Sequence, residues 1–480
     1  MTEKQQSLQS VLDAVPNIVD HLYGNRPKTA LNVFTVMMPS EVVRPEFTTW
    51  RDEQRSWRES IALHDQSYHM NSLRIHGPDA VRLFERLGVN SFKTFTPGAA
   101  KQFLACSPEG YVIGDAILYY LEPQTMLLVG NPASTDWVQF NAESGGYAVD
   151  VELDPMWVLN KARRRRYFRY QVEGPFALQL LERLHGASLG AIKFFRSATI
   201  GIAGAQVRAM RHSMGGVPGL ELSGDWDDRD KVKSALLETG RELKIRQIGS
   251  LAYFSTVIES GWWAVPFSAI YSSPELRRYR EWLSTNSAAA RMSLGGSFYS
   301  SNVEDYYATP WDIGLGHLIK FDHDFVGRSA LEGMADAPHR RKVTLMWHAE
   351  DVLQVFQKLL QDGPTAMHID LPVSATARLH YDKVLSTDGK TIGLGHYPGY
   401  TINERAMMSI GSVDEAYSKP GTEVVLVWGE DGGGSRSAPW IEPHVQLKIR
   451  ATVAPSPISQ AAQDYRTAIN APRRMAASEA

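Results

Sequence analysis

Two short stretches of this 480-residue chain hold the side chains best equipped for chemistry. The first is Asp65-Gln66-Ser67-Tyr68-His69, five consecutive hydrogen-bonding side chains between an apolar helix end and a strand beginning near Asn71. Such a run can hold a polar ligand. Asp and Ser also bond to their own backbone, so taken alone it reads first as a capped, solvated turn. The second stretch runs from Tyr253 to Trp263 and contains Glu259-Ser260-Gly261-Trp262-Trp263. Adjacent tryptophans beside a glycine can wall a flat heterocycle, and buried core aromatics account for them equally well. Arg163-Arg164-Arg165-Arg166, followed by Tyr167, Phe168 and Tyr170, has the residue types of a nucleic-acid surface. A solvated linker face is the simpler reading, and a buried anion site is a third.

Other chemistries have no foothold. There is no GxxxxGK[ST] phosphate loop, no HExxH and no GxSxG elbow. Gly215-Gly216 and Gly432-Gly433-Gly434 lack dinucleotide spacing and read as turns. His64 and His69 stand five apart, which does not set them on one helical face as a metal pair. The single cysteine, Cys106, rules out an internal disulfide or a multi-cysteine metal site and suits a reducing cytoplasm. With 50 Lys+Arg against 53 Asp+Glu, no net field recruits nucleic acid or an anionic membrane. Apolar residues at 43% and charged residues at 21% are ordinary for a globular chain with a large core. Lys4, Asp13, Asp20 and Arg26 interrupt the first thirty residues, so no signal peptide is expected. No run approaches the ~20 apolar residues of a membrane span. The expectation is a soluble cytoplasmic protein with a small-molecule partner and an open oligomeric state.

The elements that must position these residues show an internal repeat. Leu73-Arg74-Ile75-His76-Gly77-Pro78 leads into Ala80–Leu87, and Tyr170-Gln171-Val172-Glu173-Gly174-Pro175 leads into Ala177–Leu184. Each is an alternating strand, a Gly-Pro break and an amphipathic helix, with proline in the first turn where its missing N–H costs nothing. Strand-like runs near 101–106, 111–120 and 125–130 and a helix from about 134 follow the first unit. Runs near 195–200, 205–211 and 218–223 and a helix near 228–242 follow the second. The fold class is α+β: two similar halves around a central ligand cleft. The boundaries read as 1–160 and 161–335 for the halves, 336–455 for a β-rich domain and 456–480 for a tail.

Gly314-Leu315-Gly316-His317-Leu318-Ile319-Lys320-Phe321-Asp322 and its continuation to Gly327-Arg328 resemble the "GLGxxVKxDKxxFIGRxAL" segment of the aminomethyltransferase (glycine-cleavage T-protein) family. Further landmarks follow the family's order. Pro97-Gly98 precedes Gln102 and Gly110–Asp115, Arg211 precedes Gly219-Leu220-Glu221, and Glu259-Ser260-Gly261 is similar to the "RLEAG" turn. Within that superfamily the chain resembles the tetrahydrofolate-dependent aryl O-demethylases of vanillate, 3-O-methylgallate and syringate. That likeness rests on Pro45-Glu46-Phe47 with Trp50-Arg51, Asp65-Gln66 with His69-Met70, Gly249-Ser250 with Ala252-Tyr253, Gly295–Phe298, Glu304–Tyr307 and Glu442-Pro443-His444.

The resemblance implies a three-domain plan with tetrahydrofolate in a central cleft. It implies that Glu221 accepts the two-donor edge of the pterin, that Gln102 contacts the folate and that Trp262 walls it. Asp115 matches one member of the T-protein acidic pair, and Gly114 replaces the other. Tyr253 is implied as hydrogen-bond or proton donor to the departing ether oxygen, with His69 and Gln66 orienting the ring oxygens. Asn131 stands where the vanillate type carries an arginine, and Ser40 near where it carries a tyrosine. Both would belong to the substrate pocket and tilt the expectation towards syringate. The reaction implied is methyl transfer from a methoxylated aromatic acid to tetrahydrofolate, giving 5-methyltetrahydrofolate and a phenol without metal or flavin. A folate methyltransferase for an amine or sulfonium donor, and a non-catalytic folate-binding protein, are the alternatives.

Overall fold

A computed structural model describes residues 6–25, 38–434 and 441–468. Three sheets organise them. The first is antiparallel, in the order Ala100–Cys106, Val112–Glu122, Thr125–Gly130, Asn71–His76 and Asp150–Asp154. The second runs Ile245–Ile248, Ile61–Asp65, Tyr167–Glu173, Gly219–Asp225, Ala205–Arg211 and Ser197–Ile202, with its first pair parallel. The third has seven strands, and Leu379–Leu385 pairs at Val384↔Leu426 with Glu423–Trp428, closing a C-terminal β-barrel. The α+β expectation stands. The strand Ala406–Val413 of this barrel was not read from the sequence. No helix among the described residues is long and apolar enough to cross a membrane.

The repeat has a backbone cause. Gly77 and Gly174 both adopt positive φ, +146° and +124°. A Cβ on Gly77 would come within 2.4 Å of the Ala148 carbonyl oxygen, and one on Gly174 within 2.5 Å of that of Ser60. Only glycine permits that conformation and that approach. Each junction turns a strand into a helix, Ala80–Leu87 and Ala177–His185, whose apolar faces cover the sheets.

The first half lends one strand to the second sheet. Ile61–Asp65 precedes the first sheet in sequence yet pairs in the second, with Tyr167–Glu173 on one side and Ile245–Ile248 on the other. The chain then crosses to Asn71, which opens the first sheet opposite Gly130. Residues 66–70 are that crossing, so they lie between the halves instead of on the surface.

The crossing is held from the second sheet's entry strand. Arg165 donates to the carbonyls of Ser67 at 2.7 Å and Met70 at 3.0 Å, and to Asp154 at 3.0 Å. Gln66 N donates to Arg169 O at 2.9 Å. Of the four arginines, Arg165 is buried, while Arg163, Arg164 and Arg166 pair at the surface with Glu41, Asp227 and Glu152. The arginine run is therefore a solvated face with one inward member.

Candidate active site

Asp65, Gln66, Ser67 and His69 are all buried, which overturns their reading as a solvated turn. A crossing segment between packed sheets has no access to water, so its polar groups must find partners inside. Asp65 bonds Ser67 N at 3.1 Å and Lys233 at 3.3 Å. Gln66 and His69 point instead to Tyr253, on the first turn of the helix Ser250–Ser260. The Tyr253 hydroxyl lies 3.0 Å from His69 Nε2 and 3.4 Å from Gln66 Nε2. Among the described residues, His69 Nδ1 and Gln66 Oε1 are buried with no hydrogen-bond partner. Buried orphans of this kind cost free energy unless something else satisfies them. Burial lowers His69 to about 3, helped by the cations Arg169 and Arg165, so the ring is neutral. Burial pushes the Tyr253 phenol well above its ordinary value, so it keeps its proton.

Glu221 anchors a second group. It sits mid-strand, opposite Gln171 and Met210, and is buried. Its Oε2 accepts from Arg169 at 2.7 Å and its Oε1 from the Tyr119 hydroxyl. Burial opposes its charge, but Arg169 prevails and holds the carboxyl below its ordinary range. The third group is Asp115, whose Oδ2 accepts from Gln102 at 2.7 Å and from the Trp262 indole at 3.4 Å. Asp115 Oδ1 is buried without a partner among the described residues, and burial raises the carboxyl to about 6. Asp115 and Tyr119 lie on one strand, Val112–Glu122, four residues apart. Alternation puts both on one face, and the spacing sets them roughly 13 Å apart at ~3.3 Å per residue. One face thus carries Asp115 itself and the tyrosine that bonds Glu221 across to the second sheet.

The helix Ser250–Ser260 positions Tyr253 at one end and Trp262 at the other. It stops at Gly261, left-handed at φ +62°. The Gly261 carbonyl accepts from Lys342 Nζ, and the Ser260 carbonyl from Arg466 at 3.4 Å on the helix over 460–468. Cations at a helix C-terminus are favourable, and burial lowers Lys342 to about 7. The two tryptophans divide the two readings offered for them. Trp263 is 4% exposed and stacks on His396 in the core, while Trp262 is 39% exposed.

Two further residues expected in the substrate pocket stand on other elements. Asn131 caps the helix Pro132–Ser144, its Oδ1 accepting from Ala133 N at 2.8 Å. Ser40 is exposed in the turn after Pro39. Arg169, Tyr119 and Lys342 were not read from the sequence. The one available signal was Tyr119, which shares the alternating face of Asp115.

A profile of the GCVT N-terminal domain family matches residues 27–266. The chain belongs to this family. Among its relatives is a syringate O-demethylase from Sphingobium sp., 43% identical over 458 residues, which are 95% of this chain and 97% of that protein. A sesamin methylene transferase from Sinomonas sp. is 26% identical over 375 residues, 75% of this chain and 79% of the relative. The crystal structure of glycine cleavage system aminomethyltransferase T from Bartonella henselae superposes with a TM-score of 0.56 at 17% identity, over 86% of this chain and 90% of that one. This GCVT-family member therefore shares the aminomethyltransferase fold.

Proposed function

We propose that this chain transfers the methyl group of a methoxylated aromatic acid to tetrahydrofolate, with syringate favoured over vanillate or 3-O-methylgallate. The observation that carries the reading is the meeting of Tyr253 with His69 and Gln66, with two orphaned polar atoms beside it. The near full-length likeness to a syringate O-demethylase supports the choice of acid.

The residues present fit a reduced pterin. Glu221 uses one lone pair on each oxygen for Arg169 and Tyr119. About two of its four acceptor sites then remain for the two donors of the pterin edge. Asp115 offers its unpartnered Oδ1 to a ligand N–H, and the half-exposed face of Trp262 offers a wall. Tetrahydrofolate supplies the nucleophilic nitrogen.

The protein's own contribution is to the leaving group. A phenoxide leaves poorly, so its growing charge must meet a donor already in place. Neutral His69 can donate from Nε2 to the Tyr253 oxygen, which frees the tyrosine proton for the ether oxygen. Because burial raises Tyr253, it acts as a hydrogen-bond donor and retains its proton. Gln66 Oε1 is the acceptor for a neighbouring ring hydroxyl. Amine chemistry is disfavoured at Gly114, where the family's second acid would stand. A Cβ there would lie 2.6 Å from Ser134 Oγ, so a carboxylate would enter only if that hydroxyl moved.

The test is incubation with tetrahydrofolate and each of syringate, vanillate and 3-O-methylgallate, following 5-methyltetrahydrofolate. Formation with syringate is expected. No product from any of the three sinks the proposal.

A further inference from the structure

The Tyr253 hydroxyl has one more neighbour, which no motif singled out. Met214 Sδ lies 3.8 Å from it and also accepts from Gln66 Nε2. Both donors therefore converge on a methyl thioether. In CH3–S–CH2, as in the CH3–O–C of an aryl methyl ether, a weak acceptor carries a terminal methyl group.

The backbone of Met214 is fixed from two sides. Its N–H donates to Glu173 Oε2 at 2.9 Å, and that of Gly215 to both Glu173 oxygens at 3.1 Å. Glu173 is itself buried, with His64 Nε2 3.0 Å from its Oε1. On the other side, a Cβ on Gly216 would come to 2.4 Å from that of Ala462 on the C-terminal helix. The side chain is free to adapt. It is half-buried, and methionine is unbranched, with three rotatable bonds. A clamped backbone thus presents a movable thioether to the Tyr253 donor assigned to the reacting oxygen, with the Gln66 amide donating beside it.

We infer that Met214 is a displaceable occupant of the ether seat, its S–CH3 holding the Tyr253 and Gln66 donors until the substrate's O–CH3 takes its place. The inference rests on the proposed function, since the seat is defined by the Tyr253 donor named there. Substrate binding is then a competition, and apparent affinity falls by the fraction of molecules in which the thioether is seated. Leucine at this position keeps the volume and removes the acceptor.

The experiment uses full-length protein carrying 13C-methyl methionine, with syringate and no tetrahydrofolate. The resonance missing from Met214→Leu identifies Met214, and Met214→Ala serves the same purpose if the leucine protein does not fold. That resonance is expected to move as syringate saturates the protein and to stay still with benzoate, which has no methoxy group. In turnover, the leucine protein is expected to lower KM for syringate by about threefold, a larger factor than any change in kcat. A Met214 resonance that does not move at saturating syringate overturns the inference, as does a KM equal to or above the wild-type value. If wild-type protein neither binds nor demethylates syringate, the functional reading itself fails. If it demethylates syringate while the Met214 methyl stays fixed, only this inference fails.

Discussion

Replacing Tyr253 by phenylalanine removes one oxygen and leaves the ring in place. Its edge contacts with His69 at 5.0 Å and Phe254 at 5.2 Å do not need the hydroxyl. The loss falls on the bond to His69 at 3.0 Å and the weaker one to Gln66 at 3.4 Å. Leaving a buried imidazole nitrogen unpaired costs folding about 1–3 kcal/mol, which a chain of this size tolerates. The catalytic cost is larger in effect. Removing one preorganised donor from a developing oxyanion typically lowers kcat by about 10²–10³-fold, or about 2.7–4 kcal/mol. The assay is initial-rate formation of 5-methyltetrahydrofolate from syringate, with folate affinity followed by tryptophan fluorescence. The expected result is a kcat reduced by about two orders of magnitude with folate binding retained. A Tyr253→Phe protein that binds folate and turns over within about threefold of wild type would refute the donor role.

Glu221→Gln leaves Arg169 buried without its counter-charge and replaces one of the two acceptor oxygens by a donor amide, so folate affinity should fall by tenfold or more, about 1.4 kcal/mol per decade, in a titration. Asp115, raised to about 6 by burial, is a charged acceptor only above that pH, so activity should decline as pH falls through about 6, and Asp115→Asn should be uniformly low with that limb gone. For stability the sign is opposite. The folded carboxyl holds its proton more tightly than the unfolded one at 3.8, so its contribution is full below 3.8 and is lost as pH rises through about 6. His69, lowered to about 3, stays neutral through the working range. A limb near 6.5 in the pH profile that disappears in His69→Gln would contradict that assignment. Arg165→Met strips partners from the Ser67 and Met70 carbonyls and from Asp154. It should destabilise the fold by about 3–5 kcal/mol in denaturant melts, and a change below about 1 kcal/mol would show that the crossing segment does not depend on it.

The sequence by itself determined the local elements and much of the cast. Alternation and amphipathic spacing are properties of neighbours, so the paired strand–Gly-Pro–helix units were legible. The structure adds that both glycines sit at positive φ against a carbonyl. Gln66, His69 and Tyr253 were named through the family resemblance that their motifs carry. What those motifs left open was whether Asp65–His69 faced water, because that depends on the strand Ile61–Asp65 pairing in the far sheet. A strand's partner is chosen by long-range packing and register, which no window of adjacent residues encodes. The same reason hid Arg169, Tyr119, Lys342 and Met214. Each is an ordinary residue in its own segment and gains a role only through partners distant in the chain. It also gave Asn131 a bond at a helix N-terminus and set Ser40 in an exposed turn. Residue types supplied the candidate chemistry. The crossing between sheets brought Gln66 and His69 to a tyrosine 184 positions beyond His69, and it left Gln66 Oε1 and His69 Nδ1 buried without a partner among the described residues.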